Sequence, residues 1–216
     1  MNLFLLPSWY PSPASPLSGC FTQEQADAIA ELSPDIRVLV SLWGHADAVL
    51  PARSPWRWPQ RLAWRLQQAR DQVRERNGVH EIFNAKIYWS DRLPFGGVRQ
   101  LIAVNRRNFQ LAQQRFGRID LIHAHVSYPG GYIASLLSQE FGAPYVLTEH
   151  MSPFPFPNLM RGGQPVPEVA QAFQKAAASI AVSPSLSQRV ASFGYPAPRV
   201  IPNMVDERAF AVGQPS

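Results

Sequence analysis

Short strand-like runs rich in apolar residues recur along this chain, most of them followed by a turn and a segment of helical periodicity. Leu3–Leu6, Asp35–Ser41, Ile119–Ala124, Tyr145–Thr148, Ile180–Val182 and Arg199–Ile201 are such runs. A strand that is apolar at consecutive positions buries both faces, as in a parallel sheet covered by helices on each side. The segments Phe21–Leu32, Val98–Phe116, Tyr132–Phe141, Val169–Ala178 and Ser185–Phe193 carry apolar residues at helical spacing, and Gly117 and Gly142 close two of them. The chain opens strand, loop, helix, strand, which is a βαβ unit. The continued alternation predicts an α/β fold, a Rossmann-like doubly wound parallel sheet with helices on both faces.

Composition narrows the class. Hydrophobic residues make up 46% of the 216 and charged residues 16%, which excludes disorder over most of the length. The one cysteine, Cys20, leaves no internal disulfide and fits a reducing compartment. The N-terminal apolar run ends at Pro7, too short for a signal peptide, and nothing approaches a membrane span. The expectation is a cytoplasmic protein. Its net charge of +5 suggests an acidic partner, either a membrane surface or a phosphorylated substrate.

That charge is concentrated between Arg53 and Arg76, where seven arginines face only Asp71 and Glu75, with Trp56, Trp58, Leu62, Trp64 and Leu66 interleaved. The stretch reads as a basic helix making an excursion from the core fold. One reading rests it on anionic lipid at the inner membrane face, with tryptophans at headgroup level. The other is a solvated helix whose tryptophans pack inward. No nucleic-acid-binding motif accompanies the charge, so no nucleic-acid partner is expected.

In a doubly wound sheet, ligands bind beyond the carboxyl ends of the strands. The informative residues are therefore Ser8, Trp9 and Tyr10, then Ser18 and Gly19 at a helix start, then His125, Ser127 and Tyr128, then Glu149 and His150, and finally Ser183. A glycine at a helix N-terminus lets an anion approach the backbone, although a tight turn needs one equally. No G-x-G-x-x-G follows the first strand, which weakens a nicotinamide-dependent reading. His123 and His125 share a strand face, with His125 facing a ligand and His123 packed deeper. No carboxylate or cysteine stands at a usual ligand spacing from them, so no metal site is expected. Glu149-His150 ends a buried strand, where a histidine can hydrogen-bond a sugar hydroxyl and a carboxylate can orient it.

Taken in order, these motifs resemble a known family. The series is Leu5-Leu6-Pro7-Ser8-Trp9-Tyr10-Pro11, Ser18-Gly19, Asp120-Leu121-Ile122-His123-Ala124-His125 and Pro144-Tyr145-Val146-Leu147-Thr148-Glu149-His150. Ala181-Val182-Ser183 and Val200-Ile201-Pro202-Asn203-Met204-Val205-Asp206 complete it. It is similar to the N-terminal domain of family 4 glycosyltransferases, retaining enzymes of the GT-B fold. The resemblance implies that residues 1–202 form the acceptor-side domain, that 203–216 begin an interdomain linker, and that the donor-binding domain is absent from this chain. It implies a hexosyltransferase of polysaccharide biosynthesis whose nucleotide-sugar is a substrate, with no cofactor and no obligatory metal, and a glycan or lipid-linked acceptor. It gives Gly19 to the donor phosphates, His150 to the reacting centre, and Trp9 and Tyr10 to the acceptor pocket. Position at the strand ends and helix start adds Ser18 to the donor side, Glu149 beside His150, and His125, Ser127, Tyr128 and Ser183 to the acceptor side. The segment Pro202-Asn203-Met204-Val205-Asp206 carries methionine where the family has glycine. On this reading the isolated chain folds and is inactive. The competing reading is a non-catalytic glycan-binding module on the same fold.

Overall fold

A computed structural model describes residues 1–89 and 97–204. Strand β1 (Asn2–Pro7) leads through a long loop to helix α1 (Cys20–Leu32) and strand β2 (Arg37–Leu42). A short helix α2 (His45–Ala48) and a longer one, α3 (Trp58–Gln67), precede the hairpin of β3 (Gln72–Arg76) and β4 (Val79–Phe83). Helix α4 (Val98–Phe116), β5 (Leu121–His125), α5 (Tyr132–Phe141) and β6 (Tyr145–Glu149) follow. A two-residue-strand hairpin, β7 (Met160–Arg161) with β8 (Gln164–Pro165), then α6 (Pro167–Gln174), β9 (Ala178–Ala181), α7 (Pro184–Ala191) and β10 (Arg199–Val200) complete the described chain.

Eight strands form one sheet in the order β10-β9-β6-β5-β1-β2-β4-β3, parallel throughout except for the antiparallel pairing of β3 with β4. The chain winds outward from β1 through β2 to β4, then returns to β5 beside β1 and winds the other way. The doubly wound α/β fold expected from the alternating pattern is therefore present, and its switch point lies between β1 and β5.

The apolar runs divide by parity. Leu3 and Leu5 pack with Val38, Val40, Val79 and Ala26 of α1 on one face. Phe4 and Leu6 join Leu39, Ile82, Ile122 and Phe109 of α4 on the other. Each fully buried side chain of this kind contributes about 1.5–3 kcal/mol. On the α1 side of β5 and β6 the aliphatic pattern breaks: His123, His125 and Thr148 are buried there instead.

The basic stretch is a correction to the expectation. Only Trp58–Gln67 is an α-helix, and Gln72–Arg76 is the edge strand of the main sheet. Asn77 and Gly78, with φ of 52° and 77°, make the two-residue turn into β4. Both central residues of such a turn need positive φ, which asparagine and glycine supply most readily. The linker expected over 203–216, with Val205 and Asp206 of the last motif, lies from residue 205 onward outside the described residues.

Candidate functional site

The switch point is fastened by a compact set of hydrogen bonds. Ser8 donates through its amide (3.2 Å) and its Oγ (2.9 Å) to the His125 carbonyl, and the Gly130 amide donates to Ser8 Oγ at 2.9 Å. This ties the end of β1 to the end of β5 and to the turn after it. Val126, at φ 72°, reverses the chain there, a costly conformation for a β-branched residue.

Glu149 is fully buried at the end of β6 and is occupied by backbone. Its Oε1 accepts from the amides of His150 (2.8 Å) and Met151 (2.9 Å), and its Oε2 accepts from Ser127 N (3.0 Å). Burial pushes its carboxyl pKa up, and these hydrogen bonds pull it back. The carboxylate does not hydrogen-bond the His150 ring. It clamps the loops after β5 and β6 to each other.

His150 Nε2 is hydrogen-bonded to His125 Nδ1 at 3.1 Å, and the ring of Phe21, from the first turn of α1, stacks on His150 with centroids 4.2 Å apart. His150 Nδ1 is enclosed and has no partner among the described residues. Behind this pair, His123 Nε2 lies 2.8 Å from Thr148 Oγ1. Burial lowers His123 and His150 to about 4, and lowers His125 with added repulsion from its two neighbours, so all three are neutral at pH 7. A neutral pair of this kind has two tautomeric arrangements, and in each His125 fixes whether the free His150 nitrogen donates or accepts.

The expected order of the strand histidines is thereby revised. His125 is 1% exposed and is hydrogen-bonded beneath His150, so its ring does not face the cavity directly.

His150 and Ser183 line one cavity of about 620 Å³ with Met151, Phe154, Ser185 and Arg189. Ser183 caps α7, accepting from Leu186 N at 3.2 Å. Gly19, the N-cap of α1, has φ 72°, and a Cβ there would lie 2.2 Å from the Trp9 carbonyl oxygen. That close approach requires glycine and locks α1 against the loop after β1. Ser18 is half-buried beside it, its amide bonded to the Ser15 carbonyl. Trp9 is half-buried against Phe156.

Of the expected acceptor residues, Ser183 lines this cavity, and Trp9, Tyr10, His125, Ser127 and Tyr128 do not. Ser127 is completely buried, and Tyr128 packs against the core. Tyr10 turns away toward β4, where its hydroxyl donates to Glu81 Oε1 at 2.9 Å. Two residues escaped the sequence reading, Phe21 and Arg189. Phe21 follows Gly19 by two positions, and that placement at a helix start beside the strand ends was the available signal.

The outer side of α3 carries Trp58, Leu62 and Leu66 in line at four-residue spacing, with Trp56 71% and Leu66 85% exposed. Its inner side is polar and aromatic: Arg61 pairs with Asp47 at 3.1 Å, and Trp64 meets Phe83 edge-on. Trp64 packs inward, as in the solvated-helix reading, while Trp56 and Trp58 remain exposed. No helix among the described residues is long and apolar enough to cross a membrane.

The fold and the cleft define a doubly wound α/β domain that presents polar side chains at the carboxyl ends of its central strands. The model of Glycosyltransferase Family 4 matches residues 68–209, more than half of the chain, and the chain belongs to that family. A relative in Bacillus subtilis (strain 168), provisionally named teichuronic acid biosynthesis glycosyltransferase TuaC, is 25% identical over 197 residues. The match covers 88% of this chain and 45% of that relative, so the chain spans less than half the length of the protein it resembles.

Proposed function

We propose that this chain is the acceptor-side domain of a retaining, nucleotide-sugar-dependent hexosyltransferase, and that His150 stands at the reacting centre. The observation that carries this is the placement of His150 at the open end of β6, hydrogen-bonded from behind by His125 and bordering the 620 Å³ cavity. Family membership supplies the reaction class. On this reading the sugar is donated from a second domain across the cleft, and residues 1–202 hold the acceptor.

The chemistry asked of His150 follows from its charge state. With Nε2 held by His125, the neutral ring leaves Nδ1 as a single donor or acceptor for a sugar hydroxyl, and it is not a proton source at pH 7. Glu149 is a positioning residue: its three backbone hydrogen bonds aim the His150–Met151 segment. The N-terminus of α1, reached over Gly19, carries the positive end of the helix dipole, which suits the donor phosphates.

The name of the relative suggests an acceptor that is an intermediate in the biosynthesis of teichuronic acid or a similar acidic glycan, free or lipid-linked. A lipid-linked acceptor would bring the protein to the inner face of the membrane, and the exposed Trp58–Leu62–Leu66 stripe with its arginines suits anionic lipid. The reading includes no metal and no cofactor. The test is transfer by the full-length gene product across a panel of nucleotide-sugars: consumption of one donor with a saccharide acceptor supports the assignment, and indifference to every donor overturns it.

A further inference from the structure

A second cavity, of about 270 Å³, lies on the other side of the β1 loop from His150, between that loop, α2, α3 and the β3–β4 hairpin. Its volume falls near the lower end of ligand pockets, enough for one sugar ring. Trp64 and Phe83 form one wall as an aromatic corner, at 86° to each other with centroids 6.4 Å apart. Tyr10 and His45 stand in the same lining, with rings 6.0 Å apart.

His45 is unusual in three respects. It sits at φ 43°, it is 5% exposed, and neither ring nitrogen makes a hydrogen bond among the described residues. The Ser8 backbone lies close enough to favour its charged form slightly, but burial dominates and lowers its pKa to about 3. A buried imidazole with both nitrogens unmet is costly unless something polar enters to meet them.

The surrounding frame is held independently of any ligand. Asp47 Oδ1 accepts from Ala14 N at 2.9 Å and from Arg61 at 3.1 Å, which pins the β1 loop and α3 across α2. Arg76 is bonded to Glu81 (2.9 Å), Asp27 (2.6 Å) and Tyr10 (3.1 Å), so its charge is matched. Arg74 is different: it is exposed, its guanidinium lies 5.7 Å over the Phe83 ring, and it donates to the neutral Gln72 Oε1, with no carboxylate bridged to it among the described residues.

We propose that this cavity is a subsite for one acidic sugar unit of the acceptor, a hexuronate whose ring lies in the Trp64–Phe83 corner. Its hydroxyls meet His45, and its carboxylate meets Arg74. The proposal rests on reading the chain as an acceptor-side domain, and it adds the chemical class of a unit bound away from His150. Aromatic faces with a few fixed polar groups are what a sugar ring requires, and an arginine fork matches a carboxylate.

The test is binding to the 216-residue chain itself, by ligand-observed saturation-transfer NMR with D-glucuronate and D-glucose as probes. Glucuronate should bind about tenfold tighter than glucose, and Arg74→Gln, at an exposed position, should erase that preference. His45→Asn, which tolerates the positive φ, should weaken both sugars with an unchanged circular dichroism spectrum. Equal affinity for the two sugars, a preference that survives Arg74→Gln, or binding of neither probe overturns the proposal. No donor or transfer enters the readout, so the subsite can fail while sugar transfer by the full-length product stands, and the converse holds as well.

Discussion

The imidazoles of His125 and His150 are joined Nδ1 to Nε2 at 3.1 Å, one ring buried at the end of β5 and the other at the mouth of the cleft beyond β6. Two adjacent parallel strands thus present a single coupled unit in which the inner ring sets the hydrogen-bonding character of the outer one. His125→Phe should leave the fold intact and cut transfer by the full-length product about tenfold, through loss of that orientation. Long-range nitrogen NMR of the histidine rings is the check beyond activity: the His150 tautomer should become mixed in the variant. An unaltered His150 signal would show that the contact is packing alone.

Glu149→Gln tests the clamp. Glutamine has one acceptor oxygen where the carboxylate has two, and its amide faces a backbone N–H. A loss of about 2 kcal/mol is expected from the unsatisfied donors, read by urea unfolding. Stability equal to the wild type would remove the carboxylate from its structural role.

Gly19→Ala should cost about 3 kcal/mol through the positive φ and the collision with the Trp9 carbonyl. The geometry behind this is the 2.2 Å approach of the added Cβ. A thermal shift within a degree of the wild type would contradict it.

Acid should unfold this protein early. His45 is lowered to about 3, His123 and His150 to about 4, and His125 is lowered as well. Between about 6.5 and 4 the unfolded chain takes up these protons and the folded chain does not, so stability falls as pH drops through that window. Each such histidine contributes about 1.4 kcal/mol per pH unit there. Glu149, whose folded pKa is raised, opposes the trend as one group against four. Melting temperatures from pH 7 to 4.5 should decline steeply, and a flat profile would show that the histidines are solvated.

The outer face of α3 should adsorb to anionic vesicles in a salt-sensitive manner, since its arginines interact through screened charge. Equal binding to neutral and anionic vesicles would dismiss the electrostatic contact.

The centre of this fold was legible in the sequence because its strands are buried on both faces, and β1, β5 and β6 announce themselves as apolar runs. The edge was not. In β3 and β4 the residues Arg74, Glu75, Arg76, His80 and Glu81 satisfy one another or face water, so the apolar pattern that marks a strand is missing. The Asn77-Gly78 pair was the one local signal of that hairpin. Around the cavity, position at a strand end was enough to single out His150 and Ser183, which border it. The bond from Ser127 to Glu149 and the inward turn of Tyr10 are set by tertiary hydrogen bonds between residues more than 20 or 70 positions apart, which no local pattern encodes.

The most direct test compares wild type and His150→Ala in the full-length gene product for sugar transfer, alongside the melting temperature of each. The expected result is a fall in kcat of about 10²–10³, the size of losing one fixed hydrogen bond to a developing charge, with the melting temperature nearly unchanged. Transfer at the wild-type rate by a folded His150→Ala protein would contradict the placement of the reacting centre at this residue.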